Sequence, residues 1–259
     1  MSEYRMSNHQ LDGNSFEMKG GSNVGVLLMH GLTATTTEVR LLAERLHAAG
    51  YDIAAPLLPG HGTTPDEMKK VGYEDWLQTA VSNYHQLATE YEHVFVGGES
   101  TGGVLALALA ARYPDITGIL CYAPALKLQM PPFMPPLIGL GATLGIILPK
   151  SAPNDNPYWQ GYDVRPLRGV QALLRLNKDT RKRLPQIKQP LLLLQGRNDT
   201  TVTPDCPDLI RAGVETAVYQ QHWLENSGHV LLVEDEIDTA ANLTINFIQL
   251  IIQQAASKR

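Results

Sequence analysis

The chain lacks most of what a disulfide scaffold, a metal protein or a membrane protein needs. Its 259 residues include two cysteines, Cys121 and Cys206, too few for a disulfide framework and with no metal-ligand spacing around them. Cys121 stands in the apolar run Gly118–Tyr122 and reads as a small buried residue. The N-terminal stretch MSEYRMSNHQLDGNSFEM has no apolar core of the kind a signal peptide carries, which predicts a cytoplasmic location. One apolar stretch, Phe133–Leu148, is shorter than the ~20 residues a bilayer span requires, and prolines interrupt its start. Long blocks of one charge are also missing, and the net charge is −5. The most basic stretch, Lys178–Arg183 (KDTRKR), includes an aspartate and adjoins an apolar helical pattern. It reads as a solvated helix face, and nucleic acid is not expected as a partner. No internal repeat is found.

What is present is enough apolar sequence, 44%, for a sizeable core. Short apolar runs alternate with helical patterns, which predicts an α/β fold with a mostly parallel central sheet flanked by helices. The expected strands are Val24–Met29, Asp52–Ala55, His93–Gly97, Ile116–Tyr122, Pro190–Gln195 and Ala217–Leu224. Helical spacing covers Thr37–Ala49, Tyr73–Tyr91, Val104–Arg112 and Asp235–Ile252. The acids Glu234, Asp235, Glu236 and Asp238 suit the positive end of the last helix. Between Ala123 and Gln189 the alternation stops and prolines accumulate. The predicted organisation is therefore a polar N-terminal segment (1–22), a core in two parts (23–124 and 190–259), and an inserted lid (125–189).

Chemistry concentrates in three loops. Gly98-Glu99-Ser100-Thr101-Gly102 lies between an expected strand and an expected helix. A nucleophilic hydroxyl needs a sharp turn that lifts it clear of the sheet, and glycines at 98 and 102 let backbone segments approach there. Ser100 would then face a helix N-terminus, where free N–H groups favour a developing oxyanion. A serine hydroxyl also needs a base. Of eight histidines, His9 lies in the polar tail, His47 and His85 in helices, and His93 and His222 in strand-like runs. His61, in Gly60-His61-Gly62, could line the site. His229, in Asn226-Ser227-Gly228-His229, stands after the last expected strand, where a general base belongs. Asp199, in the loop after Pro190–Gln195, sits at the carboxyl end of its strand and would orient the imidazole. Asp205 and Asp208 read instead as the start of the next helix. The order Ser100, Asp199, His229 is that of α/β-hydrolases. Thr101 N–H would be one oxyanion donor and Leu32 N–H, in His30-Gly31-Leu32-Thr33, the other, leaving the His30 side chain structural.

Together with Gly60-His61-Gly62 and the position of the lid, these motifs resemble the bacterial carboxylesterase and monoacylglycerol lipase branch of the α/β hydrolases. The resemblance runs from about Asn23 to Ile252. It departs at Thr101, often Met in that branch, and at Leu32, where an aromatic residue is common; neither change removes an N–H. It implies hydrolysis of carboxylic esters through an acyl-enzyme, with no metal or other cofactor. It also implies an acidic lid residue facing the glycerol of a monoacylglycerol. Here that residue would be Asp163, with a surface ion pair to Arg165 as the plain alternative. The lid's Leu126, Leu128, Met130, Phe133, Met134, Leu137, Ile138 and Leu140 suit both packing onto the body and an apolar acyl channel. The expected partner is a lipophilic small-molecule ester of a short- to medium-chain acid. Carbon–carbon bond hydrolysis or acyl transfer on the same triad is the first alternative, and a non-catalytic binding protein of this fold the second.

Overall fold

Apolar runs too short to be helices become strands here because each is buried on both faces. The computed structural model describes residues 6–150 and 154–257; residues 1–5 of the polar N-terminal segment and 151–153 of the expected lid lie outside the described residues. The chain opens with two short strands, β1 (Met6–Ser7) and β2 (Phe16–Met18), before the first apolar run forms β3 (Val24–Met29). Then come α1 (Thr37–Ala48), β4 (Asp52–Ala55), the single turn α2 (Pro65–Met68) and α3 (Tyr73–Glu90). Next are β5 (His93–Glu99), α4 (Thr101–Ala110) and β6 (Gly118–Tyr122). A long segment follows with α5 (Met134–Thr143), β7 (Ile147–Pro149), β8 (Gly161–Tyr162), β9 (Val164–Pro166) and α6 (Leu167–Arg183). The chain then forms β10 (Leu191–Gly196), α7 (Cys206–Gly213), β11 (Tyr219–Leu224) and α8 (Ile237–Ala256).

The main sheet has seven strands in the order β11-β10-β6-β5-β3-β4-β2. Every pair is parallel except β2 with β4 at the edge. Alternate residues of each strand enter opposite cores, as the pleat requires. Leu27, Met29, Val96, Cys121 and Leu193 pack on one side with α3 and α4. Val26, Leu28, Phe95, Leu120 and Leu194 pack on the other with α1 and α8. Helix α4 is apolar all round and wholly buried, because α6 of the inserted segment covers the side the sheet leaves open. Among the described residues, no strand between β6 and β10 joins the main sheet; β7 pairs with β9, and β8 pairs with β1.

The polar start of the chain is thus more structured than its composition suggests: β1 and β2 are both paired, but two or three residues are too few to show a period. The last helix begins at Ile237, not Asp235, because Glu234 and Glu236 are engaged elsewhere. The Phe133–Leu148 stretch becomes α5 and β7 on the surface. Phe133, Leu137, Leu140 and Leu144 are each more than half exposed, reaching 67% at Leu144. No helix among the described residues is long and apolar enough to cross a membrane.

The tightest constraint lies where β5 turns into α4. A Cβ at Gly98 or at Gly102 would overlap the Met29 carbonyl oxygen of the neighbouring strand. Gly98→Ala should therefore lower stability by about 1–3 kcal/mol, or more if the backbone cannot yield. Gly139→Ala in α5 meets only the Gln171 amide, at 3.4 Å, and should be neutral or stabilising by ~0.5–1 kcal/mol. Paired denaturant titrations check both; equal effects would mean that the turn is not tight.

Candidate active site

Three loops at the carboxyl ends of β5, β10 and β11 meet at one point. Ser100 sits in the turn after β5 with φ 54°, a left-handed conformation rare outside glycine. Three backbone bonds hold it there. Its N–H donates to Tyr122 O (2.9 Å), and its carbonyl accepts from Ala125 N–H (3.0 Å) and Val104 N–H (3.3 Å). Its Oγ lies 2.9 Å from Nε2 of His229. Nδ1 of His229 lies 2.8 Å from Oδ2 of Asp199.

Asp199 is nearly closed to solvent, with 2% of its side chain exposed. Its Oδ1 accepts from the Thr201 and Val202 amides (2.7 and 3.0 Å), and its Oδ2 also accepts from Gln195 Nε2 (2.7 Å). Burial alone would raise its pKa. The bond to His229, that residue's charge and the two amides outweigh it and hold the carboxyl below the usual aspartate value. Asp199 thus stays ionised and fixes Nδ1 of His229 as a donor, which leaves Nε2 as the acceptor facing Ser100.

The loop bearing His229 is tied from below by acids. Glu236 Oε2 accepts from Asn226 N–H (2.9 Å) and Ser227 Oγ–H (2.6 Å), and Glu234 Oε2 accepts from Gly228 N–H (2.5 Å). This is the work of two residues expected to serve the helix dipole; only Asp238 stands in the first turn of α8. Glu99, next to Ser100 in the chain, accepts Leu232 N–H through Oε1 (3.0 Å). Burial, then the charge of Glu38, push its pKa well above the usual range.

Among the residues proposed as oxyanion donors, Thr101 is the first residue of α4, whose opening N–H groups have no partner inside the helix. Leu32 follows Gly31, where a Cβ would come 3.1 Å from Ser100 Cβ, so the loop after β3 runs directly beside Ser100. The Leu32 side chain packs against the cluster of Ile138, Ala142, Leu167 and Val170 in the inserted segment, as do Met130 and Met134. The hydrogen bonds of His30 and His61 go to backbone groups of Gly31, Leu58 and Pro59. The two rings are buried edge to face at 4.8 Å, and His30 Nε2 accepts Leu58 N–H (3.0 Å). Burial lowers the His30 pKa to about 4. Asp163, between β8 and β9, forms no pair with Arg165 among the described residues; its Oδ1 is buried without a hydrogen-bond partner. No group of histidine, cysteine, aspartate and glutamate among the described residues could hold a metal ion.

Sequence reasoning passed over Gln195, Glu38, Trp159 and Lys150, all close to this site. Glu38 accepts Gly31 N–H, and Trp159 Nε1–H donates to it. Lys150 Nζ donates to Thr33 Oγ1 (2.9 Å). None sits in a motif, and the contacts of Lys150 with Thr33 and of Trp159 with Glu38 join residues more than a hundred positions apart.

Fold and site together define a serine hydrolase of the α/β-hydrolase class. The chain belongs to the family described as serine aminopeptidase, S33, whose model matches residues 22–236. It is 30% identical over 236 residues to a carboxylesterase of Bacillus subtilis (strain 168), covering 90% of this chain and 95% of that one. It is 33% identical over 218 residues to a thermostable monoacylglycerol lipase of Bacillus sp. (strain H-257), covering 82% and 84%. Among solved structures, one described with LipS and LipT, two metagenome-derived lipolytic enzymes, matches with a TM-score of 0.85 at 29% identity, covering 92% of this chain and 97% of that one. The monoacylglycerol lipase of Paleococcus ferrophilus shares the fold, with a TM-score of 0.79 at 21% identity over 93% of this chain and all of that one.

Burial, then nearby Arg165, lower the Lys150 pKa to about 8, against the pull of Glu38 and Asp163. The folded value is below the unfolded one, so the cost of the charge is present below about pH 8 and relieved as pH rises toward the reference value of ~10.4. Between these limits the unfolded chain binds more protons, and this group makes stability rise with pH. Denaturant titrations across that window should show a steeper rise for the parent protein than for Lys150→Met. Identical slopes would mean that Lys150 titrates normally.

Proposed function

We propose that the chain hydrolyses carboxylic esters of short- to medium-chain acids, monoacylglycerols among them, through an acyl-enzyme on Ser100. The observation that carries this is the hydrogen-bonded line Ser100 Oγ, His229, Asp199, with contacts of 2.9 and 2.8 Å, starting from a strained turn at the head of α4. In this reading His229 Nε2 takes the Ser100 proton as Oγ attacks the ester carbonyl. Leu32 N–H and Thr101 N–H receive the charge on the tetrahedral oxygen. His229 then returns the proton to the leaving alcohol, and a water activated by the same imidazole frees the acid. The segment 125–189 acts as the lid over this site. Its apolar cluster around Leu32 suits an acyl chain, and the names of the two Bacillus relatives agree with ester and monoacylglycerol substrates.

Ser100→Ala should abolish turnover of p-nitrophenyl butyrate while the thermal melt stays close to the parent's. Asp199→Asn should lose about 10⁴ in kcat, because the imidazole is left in the wrong tautomer. Near-parental activity in either variant would reassign the site. Turnover of an aminoacyl p-nitroanilide in preference to the ester would point to amide chemistry instead.

Within the same reading Asp163 contacts the leaving glycerol. An apolar channel can hold an acyl chain but leaves glycerol hydroxyls without partners, and Asp163 Oδ1 is an acceptor still free. Asp163→Ala should raise KM for a monoacylglycerol about tenfold or more, in line with ~1.5–3 kcal/mol for a hydrogen bond to a charged group. Hydrolysis of p-nitrophenyl butyrate should hardly change, since its alcohol offers no hydroxyl. Equal losses on both substrates would make Asp163 structural.

A further inference from the structure

Leu32, the oxyanion donor of the proposed ester hydrolysis, is gripped on both sides, and the role assigned to its neighbours rests on that mechanism. On one side Gly31 N–H donates to Glu38 Oε2 at 2.5 Å. On the other, Thr33 is held at φ 69°. Its carbonyl accepts Tyr162 N–H (2.9 Å), and its Oγ1 accepts from Lys150 Nζ (2.9 Å). Trp159 links the two sides. Its indole N–H donates to Glu38 Oε1 (3.0 Å), and the Lys150 ammonium lies 4.5 Å from the centre of its ring. Tyr162, Lys150 and Trp159 all belong to the inserted segment; Glu38 belongs to the core.

Glu38 is 4% exposed, although it stands in the first turn of α1, where an acid ordinarily faces water. Burying a carboxylate is costly unless its oxygens are satisfied. Here both are, each by one N–H. Gly31 is wedged between that carboxylate and the nucleophile, since a Cβ on it would come 2.9 Å from Glu38 Oε2 and 3.1 Å from Ser100 Cβ. Any shift of Glu38 therefore moves the peptide that precedes the Leu32 amide. An oxyanion donor works only within a few tenths of an ångström of ~2.9 Å, and a misplacement of about 1 Å can cost ~10²-fold in rate.

We propose that Glu38 is a positioning residue for the Leu32 amide, and that Trp159 and Lys150 complete a clamp around residues 31–33 through which the inserted segment sets the oxyanion geometry. The inserted segment is then part of the machinery for stabilising the transition state, beyond covering the substrate.

The chemistry of glutamine supplies a specific test. Gln offers one acceptor and one donor group, whereas both partners of Glu38 are donors, so Glu38→Gln must turn an NH₂ toward one of them. Its kcat on p-nitrophenyl butyrate should fall about 10- to 100-fold with KM changed less than about twofold. Affinity for a butyl trifluoromethyl ketone, which forms a hemiketal oxyanion on the serine, should fall in parallel, while affinity for the corresponding simple alcohol stays unchanged. Adding Trp159→Phe removes the competing donor and frees the Gln oxygen to face Gly31. The double variant should therefore recover kcat several-fold over Glu38→Gln, a coupling a purely structural residue would not show. Parental kcat and ketone affinity in Glu38→Gln, or a double variant no better than the single one, would overturn the proposal. Should Glu38→Gln fail to fold, Trp159→Phe and Lys150→Met carry the test. Each should lower kcat and ketone affinity together by about threefold or more, and unchanged values in both would overturn it equally. Full turnover by Ser100→Ala would sink the underlying mechanism; an inactive Ser100→Ala with an unaffected Glu38→Gln would sink the clamp alone.

Discussion

Everything in this molecule turns on how close the β5–α4 junction comes to β3. The Met29 carbonyl occupies the space that side chains at 98 and 102 would need, so strand and helix can join only through a left-handed residue flanked by glycines. That residue is Ser100. The strain is held because its backbone groups are bonded to Tyr122 in β6, Val104 in α4 and Ala125 in the loop after β6. The turn is tied at three points. The hydroxyl therefore keeps its place relative to Asp199 and His229, which come from strands further along the sheet.

Around this turn the protein uses carboxylates as backbone anchors. Glu38 grips Gly31, Glu99 grips Leu232, Glu234 grips Gly228, and Glu236 grips Asn226 and Ser227. Each satisfies loop N–H groups that no strand or helix can serve, and bonds to an ionised acceptor are about twice as strong as neutral ones. Holding acids away from water has a cost: burial raises the pKa of Glu38, and burial, then the charge of Glu38, raises that of Glu99. Asp199 escapes it because His229 and two amides face its carboxylate. Chemically similar side chains are thus set apart by their partners: the pKa of Asp199 falls where those of Glu38 and Glu99 rise.

The sheet strands, the serine turn and the loops of Asp199 and His229 were legible because local chemistry dictates them: apolar runs of strand length, paired glycines around a serine, and a histidine after the last strand. What stayed hidden depends on contacts between distant positions. Glu38 reads as an ordinary acid at a helix start until Trp159, 121 positions away, is brought to it. Gln195 ends a buried strand and has no periodicity to mark it, yet it shares Asp199 Oδ2 with His229. Glu234 and Glu236 carry a helix-start signature that is real for many helices; here the helix begins just after them, and both serve the loop before it. Position in a motif tells what a residue can do, while its partners decide which of those things it does.

The clasp between β1 and β8 joins residues 6–7 to residues 161–162, and Asn8 bonds the carbonyls of Asn156 and Trp159. During synthesis, which proceeds from the N-terminus, β3 emerges and then β4, β5 and β6 in succession, each of these three able to pair at once with a strand already made. Residues 6–8 have no such partner. They wait until the chain has grown past Tyr162, by which time the inserted segment can fold back over the loop after β3. Residues 6–8 are therefore among the last parts to find their place, and their docking marks the moment when that segment is seated.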